Sequence, residues 1–524
     1  MTRTVIIGAG LGGLATAALL AREGREVVVL EKNADIGGRI GNLETAGFRF
    51  DTGPSWYLMP EVMEHFFNLL GTSTDHELRL RPLQPAYQVV SEPGASRVPP
   101  VTIPRGVEHV ARTFEALERG GGAKLRRYLS SARRTYDMAL RYFLYNPFTR
   151  YRTLISPEIL RGSPTLVRLL GQSLERYINS RFSHPVLRQI LGFHAVFIGT
   201  SPMAAPAMYH LMSYMDLDQG VFYPEGGFTT LTDRIAHHAR AAGARIVTGA
   251  EVTGIDTVPG RGRKHRVRQV RWCDEAGEIH HEPADVVVSN ADLHHTETQL
   301  LKPQQQTYPE RWWRRRTSGP SAVIAYLGVR GELPQLQHHN LFFTRDWHTN
   351  FEAIFGNNQR FVDPASLYVC KASATDPSVA PPGHENLFIL IPGPPDLTVG
   401  SGGADGGGDE QVELIADRAI DQIAQWSDIP DLRERIVMRQ TLGPCDYQRD
   451  FHSWQGSMLG PAHILSQSAM FRAQNQSTKV DGLYYVGATT APGIGVPMCL
   501  ISAEVVLKRI RGDHSAGPIP VVED

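Results

Sequence analysis

Thr4 to Ile7 form a short β-branched run, followed by three glycines, Gly8, Gly10 and Gly13, that punctuate a turn. Leu11 to Arg22 predict a helix, Gly24 its C-terminal stop, and Glu26 to Leu30 a second buried strand. Strand, helix and parallel strand begin a sheet covered by helices, which places the fold in the α/β class. Further along, Ala244–Val258 and Asp285–Ser289 return to strand-like patterning, and Val399–Asp409 is a glycine-rich loop. Near the end, Leu483–Val486 read as a strand, then a Gly/Pro loop, then a helix from about Val496 to Ile510. Between these pieces, Lys124–Arg188 are helix-like and rich in arginine, aromatics and leucine. Gln189–Met215 contain no Asp, Glu, Lys or Arg, but Gly192, Gly199, Pro202 and Pro206 make the stretch a poor spanning helix. It reads as a dry wall inside a pocket.

Length and charge narrow the choices. At 524 residues the chain exceeds what one core holds, so two interleaved domains are expected. A formal net charge of −1 offers no field to recruit nucleic acid. Four scattered cysteines (Cys273, Cys370, Cys445, Cys499) exclude a disulfide scaffold or zinc ribbon and fit a reducing cytosol. The apolar N-terminus superficially resembles a secretory leader, but a leader would not need the glycines.

Gly8-x-Gly10-x-x-Gly13 sits between strand and helix, where bare backbone and a helix N-terminus suit a pyrophosphate. Glu31 ends the second strand, where a carboxylate binds ribose hydroxyls and repels a 2′-phosphate. Gly37-Gly38-Arg39 add bare backbone and a guanidinium suited to phosphate. Gly487 to Met498 join a strand to a helix with Pro497 in its first turn; such an N-terminus stabilises negative charge growing on a flavin. A second GxGxxG and a redox cysteine pair are both missing, so the flavin is expected to take hydride from substrate and to be reoxidised by a separate acceptor.

These residues, with Phe48-Arg49-Phe50-Asp51-Thr52-Gly53-Pro54, Gly220-Val221-Phe222-Tyr223-Pro224, Ser289-Asn290-Ala291-Asp292 and Pro492-Gly493-Ile494-Gly495-Val496-Pro497, resemble the bacterial-type (CrtI-like) phytoene desaturases of the FAD-dependent amine-oxidase-like superfamily. The ending Pro497-Met498-Cys499-Leu500-Ile501-Ser502-Ala503 looks like their actinobacterial branch. The resemblance implies a Rossmann-like FAD-binding domain of glutathione-reductase type (1–75, 220–292 and 475–524). An interleaved substrate domain (76–219 and 293–474) would contain a β-sheet and a helical, membrane-facing part, with 105–215 mostly helical. Implied FAD contacts are Gly8, Gly10, Gly13, Glu31, Gly38, Arg39, Gly53, Pro54, Val252, Gly487, Val496, Pro497 and Met498. Trp56, Tyr57, Phe193 and His194 are the expected substrate-pocket residues.

The implied activity is desaturation of phytoene towards lycopene: hydride to flavin N5, a proton from the neighbouring carbon, then reoxidation by a quinone or oxygen. The alternatives are a carotenoid or retinoid oxygenase, ketolase, saturase or hydroxycarotenoid desaturase, an amine oxidase, and, in another class, a non-enzymatic prenyl-chain escort. Such a substrate suggests peripheral attachment to the inner face of the cell membrane. Lys124–Arg188 and Arg311-Trp312-Trp313-Arg314-Arg315-Arg316 are the candidate contacts, each equally readable as a solvated helical surface. No metal site is expected, because adjacent histidines such as His338-His339 point apart. His194 reads as a proton acceptor or as a satisfied core histidine, and Asp51 as a brace for the turn before Gly53; no catalytic base is assigned.

Overall fold

A computed structural model describes residues 2–94, 99–150, 165–260, 262 and 264–521. β1 (Arg3–Ile7), α1 (Leu11–Arg22) and β2 (Glu26–Leu30) lie where the pattern puts them. With β3 (Arg245–Val247), β4 (Val286–Ser289) and β5 (Leu483–Tyr485) they build a wholly parallel sheet in the order β5-β4-β1-β2-β3. Both faces are covered, as parallel strands require. On one face α1 packs against α2 (Thr229–Ala241) and α3 (Val496–Arg511), with its small residues Ala15 and Ala18 buried in the shared core. On the other, Val5, Ile7, Val28 and Leu30 pack on a meander of strands Glu251–Pro259, His265–Cys273 and Ile279–Pro283.

That second core also takes Leu293, Leu300, Leu301, Trp313, Trp454 and Ala473. Residues on both sides of the expected 292/293 and 474/475 boundaries therefore share one core. Trp313 is fully buried and Trp312 half-buried, so the Arg311–Arg316 segment does not present interfacial tryptophans; only Arg311, Arg314 and Arg315 among its cations are exposed.

A seven-stranded mixed sheet forms the rest of the scaffold. Its longest-paired strand, Ser321–Arg330, second from one edge, is buried at nine of ten positions. Val323, Ala325, Leu327 and Val329 face helix Glu410–Ser427, while Ala322, Ile324 and Tyr326 face the opposite core, the period-two division of a strand covered on both sides. Helices Val107–Leu117, Gly121–Ala139, Leu174–Asn179 and Pro185–Gly192 close that core. The chargeless stretch after Gly192 breaks into short turns, with Gly199 at φ +70°. Among the described residues no helix is long and apolar enough to cross a membrane.

Candidate active site

A cavity of about 1010 Å³ runs from the C-terminal ends of β1 and β2 to the large sheet. Gly8 adopts φ +92°, and a Cβ on Gly13 would lie 2.1 Å from the Gly8 carbonyl oxygen, so helix and turn touch only because both are glycine. Gly8 and Gly10 line the cavity; Gly13 lies behind them as the packing contact. No side chain caps α1, which leaves its first N–H groups for a ligand. Glu31 lines the same end. Its carboxylate accepts from the N–H of Ala9 (2.6 Å) and of Asn33 (2.9 Å), and burial raises its pKa. Gly38, Gly53, Pro54 and Val252 also line the cavity.

Arg39 is half-buried at this end, bonded through Nη2 to Ser453 Oγ, with its Nε unpartnered. An orphaned guanidinium N–H beside bare glycine backbone and a helix N-terminus fits a phosphate group. At the other side, Gly487, Val496, Pro497 and Met498 line the cavity where α3 begins, its N-cap Gly495 at φ +124° and likewise without a side-chain cap.

Two pocket expectations require correction. Trp56 and Phe193 line the cavity, their rings 5.9 Å apart, but Tyr57 and His194 do not. Residues 56 and 57 are extended, so adjacent side chains leave in opposite directions; Tyr57 turns into the α1–α2 core against Phe228. His194 is buried and bonds Asp216 Oδ2 at 3.0 Å, where the Tyr87 hydroxyl also donates (2.8 Å). It is a core histidine paired through Nε2, with its Nδ1 buried and without a partner. Asp51 accepts from the Phe228 N–H at 2.8 Å and borders a separate, water-sized cavity of about 20 Å³.

His338, His339 and Cys370 bring donor atoms within 4.8 Å of one another. The Nδ1 atoms bond Thr375 Oγ1 and the Tyr368 hydroxyl (2.7 Å each), both Nε2 atoms are buried without a partner, and burial pushes the Cys370 thiol up to about 12.

Sequence reasoning missed two contributors. Asn290, directly after β4, inserts its amide among the glycines: a Cβ on Gly10, Gly12 or Gly487 would come within 2.7 Å of it. The second is a strap, residues 449–454, that reaches the dinucleotide end from the large-sheet domain. Lys32 Nζ donates to the Arg449 carbonyl (2.5 Å) and Asn33 Nδ2 to that of Asp450 (3.2 Å). His452 stacks on His295 at 3.9 Å, and Ser453 holds Arg39. The strap lies more than 400 residues from Lys32 and has no local motif.

The charged residues among the described cavity walls are Glu31, Lys32, Arg39, Glu251, Asp292 and Asp450, all beside the glycine turn or the strap. The remainder is mostly apolar and aromatic, including Val196, Phe197, Met208, Met212, Ile324 and Phe343, with neutral polar groups such as Tyr209, Asn350, Tyr368, Gln440 and His463.

Residues 11–506 match the family model of flavin containing amine oxidoreductases. The chain is 38% identical over 499 residues to a carotenoid 3,4-desaturase of Haloarcula japonica, covering 95% of this chain and 96% of that one. It is 34% identical over 516 residues to a zeta-carotene-forming phytoene desaturase of Myxococcus xanthus (97% and 93% covered). These relatives, archaeal and myxobacterial, lend no support to an actinobacterial placement. The crystal structure of an oxidoreductase from Methanosarcina mazei shares the fold, with a TM-score of 0.60 at 18% identity, covering 97% of this chain and 100% of that one. With that family model spanning nearly the whole chain, and a cradle that fits the cofactor's phosphates, the protein belongs to the flavin containing amine oxidoreductases and is an oxidoreductase whose cofactor is FAD.

Proposed function

We propose that the chain desaturates a long, uncharged polyene of the carotenoid class, acting on phytoene in the direction of lycopene. One observation carries the reading: beyond the cofactor end, the described cavity walls hold no ionisable carboxylate, lysine or arginine. A cationic amine entering there would lose its hydration without gaining a counter-charge, whereas a hydrocarbon gains about 25 cal/mol per Å² buried. Bound FAD supplies a hydride acceptor. The chain's own residues hold the polyene against the mutually packed rings of Trp56, Phe193 and Phe197 and exclude water from the reacting carbons. Each cycle removes a hydride from one carbon and a proton from its neighbour, and a quinone or oxygen takes the electrons onward.

The similarity to a carotenoid 3,4-desaturase favours a second reading, in which an already conjugated carotenoid is desaturated nearer its end. Supplying phytoene and lycopene separately in liposomes, with FAD and a quinone, and following absorption of the products distinguishes the two. The oxygenase, ketolase and saturase alternatives predict products with added oxygen or fewer double bonds. A prenyl-chain escort would have no use for the glycine turn, Glu31 and Arg39.

The same reading puts the cavity mouth on the inner face of the cell membrane. In support, Leu465, Met470 and Phe471 line the cavity yet are 45%, 40% and 58% exposed. Arg316 donates to the Ser466 carbonyl (3.0 Å), which ties the cationic 311–316 segment to this apolar loop. Apolar tips among arginines suit an anionic bilayer. The wild type is expected to float with anionic vesicles at low salt and Phe471→Asp to remain in solution; a wild type that does not float would overturn this placement.

A further inference from the structure

Arg472 sits behind the cavity-lining loop 487–495, 4% exposed. Its guanidinium donates only to carbonyl oxygens: Nε to Thr490 (3.0 Å), Nη1 to Pro461 (3.2 Å) and Gln467 (3.4 Å), and Nη2 to Ala488 (2.7 Å). Among the described residues no carboxylate pairs with it. The polar side chains near it are neutral, and their hydrogen-bond chain fixes each proton. His463 Nε2 accepts from the Ile494 N–H (3.3 Å), so Nδ1 carries the proton and donates to the Tyr209 hydroxyl (2.9 Å). Tyr209 in turn donates to Ser468 Oγ (3.0 Å), and Ser468 to the Ile464 carbonyl (2.9 Å). Burial, with Arg472 nearby, keeps His463 uncharged by holding its pKa well below the usual histidine range.

A full positive charge thus lies in the interior with dipoles around it and no counter-ion. Such a charge is costly unless something negative approaches it, and in a low-dielectric interior its field reaches across a single loop. Ala488, Thr489 and Ile494 of that loop line the cavity, and α3 aims its uncapped N-terminus at the same wall.

We infer that Arg472 is a positioning residue whose counter-charge is the negative charge the flavin acquires on reduction, so that it favours electron uptake without touching the ring. When a hydride leaves the substrate carbon, its two electrons enter the cofactor, and the negative charge that results is balanced through the loop by the guanidinium. The inference rests on FAD as cofactor and not on the identity of the polyene. Failure with every carotenoid tried would leave it standing.

The test is the flavin midpoint potential of purified holoenzyme, by dye equilibration, alongside FAD affinity. Arg472→Gln is expected to shift the oxidised–reduced equilibrium towards the oxidised form tenfold or more, about 30 mV for a two-electron couple, while Arg472→Lys keeps most of the wild-type value. Arg472→Gln with bound FAD and an unchanged potential would overturn the inference. So would a loss confined to FAD affinity, which would assign the charge to the phosphates. Where the variants do not accumulate as holoenzyme, sulfite titration of the wild type decides: sulfite adds to flavin N5 and leaves a negative ring. An adduct at least about tenfold tighter than that of free FAD is expected, a difference of about 1.4 kcal/mol; an adduct no tighter overturns the inference.

Discussion

Burial lifts the Asp51 carboxyl from its usual 3.8 to about 7, against the opposing pull of the Phe228 N–H and Arg49. Between those two values the folded chain holds a proton that the unfolded chain has released, so this group's contribution to stability falls as pH rises through the window. Asp51→Asn should remove that decline: measured by thermal unfolding, its advantage over wild type should grow from about pH 4 to about pH 7 by roughly 1–2 kcal/mol after solvent screening. His194 makes a different case. Removing it leaves Asp216 buried with only the Tyr87 hydroxyl, so His194→Ala is expected to cost about 3 kcal/mol in urea unfolding, while kcat of the folded fraction stays within a few-fold. A proton acceptor at that position would instead show an intact protein with little activity. At this scale the sequence singles out positions where chemistry asks for one residue type, and the structure brings three of them, Gly8, Glu31 and Arg39, to one end of the cavity. The sequence was not readable where parity decides: nothing in Trp56-Tyr57 says which ring faces the cavity, because an extended pair always sends one each way.

Among elements, β1, α1 and β2 were legible to within a residue, since a fully buried parallel strand and its helix show uninterrupted apolar runs between glycine stops. The 311–316 segment was not. Tryptophans among arginines look interfacial, yet Trp313 is core because Trp454, distant in sequence, covers it. The strap escapes sequence reading for the same reason. Its hydrogen bonds to Lys32, Asn33 and Arg39 join the two domains over the dinucleotide end. Ser453→Ala releases one side of Arg39 at a cost of about 1 kcal/mol, so FAD should dissociate about fivefold faster, as read by recovery of flavin fluorescence after dilution. An unchanged release rate would mean that the strap closes nothing.

The whole molecule is a phosphate cradle joined to a hydrocarbon-lined chamber, and the two ends differ in charge. Glycine backbone, Arg39 and the uncapped N-terminus of α1 suit negative charge at one end, and the uncapped N-terminus of α3 faces them across the cavity. The chargeless 189–215 stretch, folded into short turns rather than a spanning helix, supplies apolar wall at the other. Strands of one sheet are scattered from residue 3 to residue 485, and Leu293 and Ala473 pack in the core on one face of that sheet, which no periodicity in the sequence announces. The most direct test is an anaerobic incubation of the FAD-loaded protein with phytoene in liposomes, recorded in the visible. The account predicts that the flavin bands bleach as conjugated-polyene absorption appears, and that simple amines do neither. Bound flavin that stays oxidised with both phytoene and lycopene, or that bleaches with an amine, would contradict it.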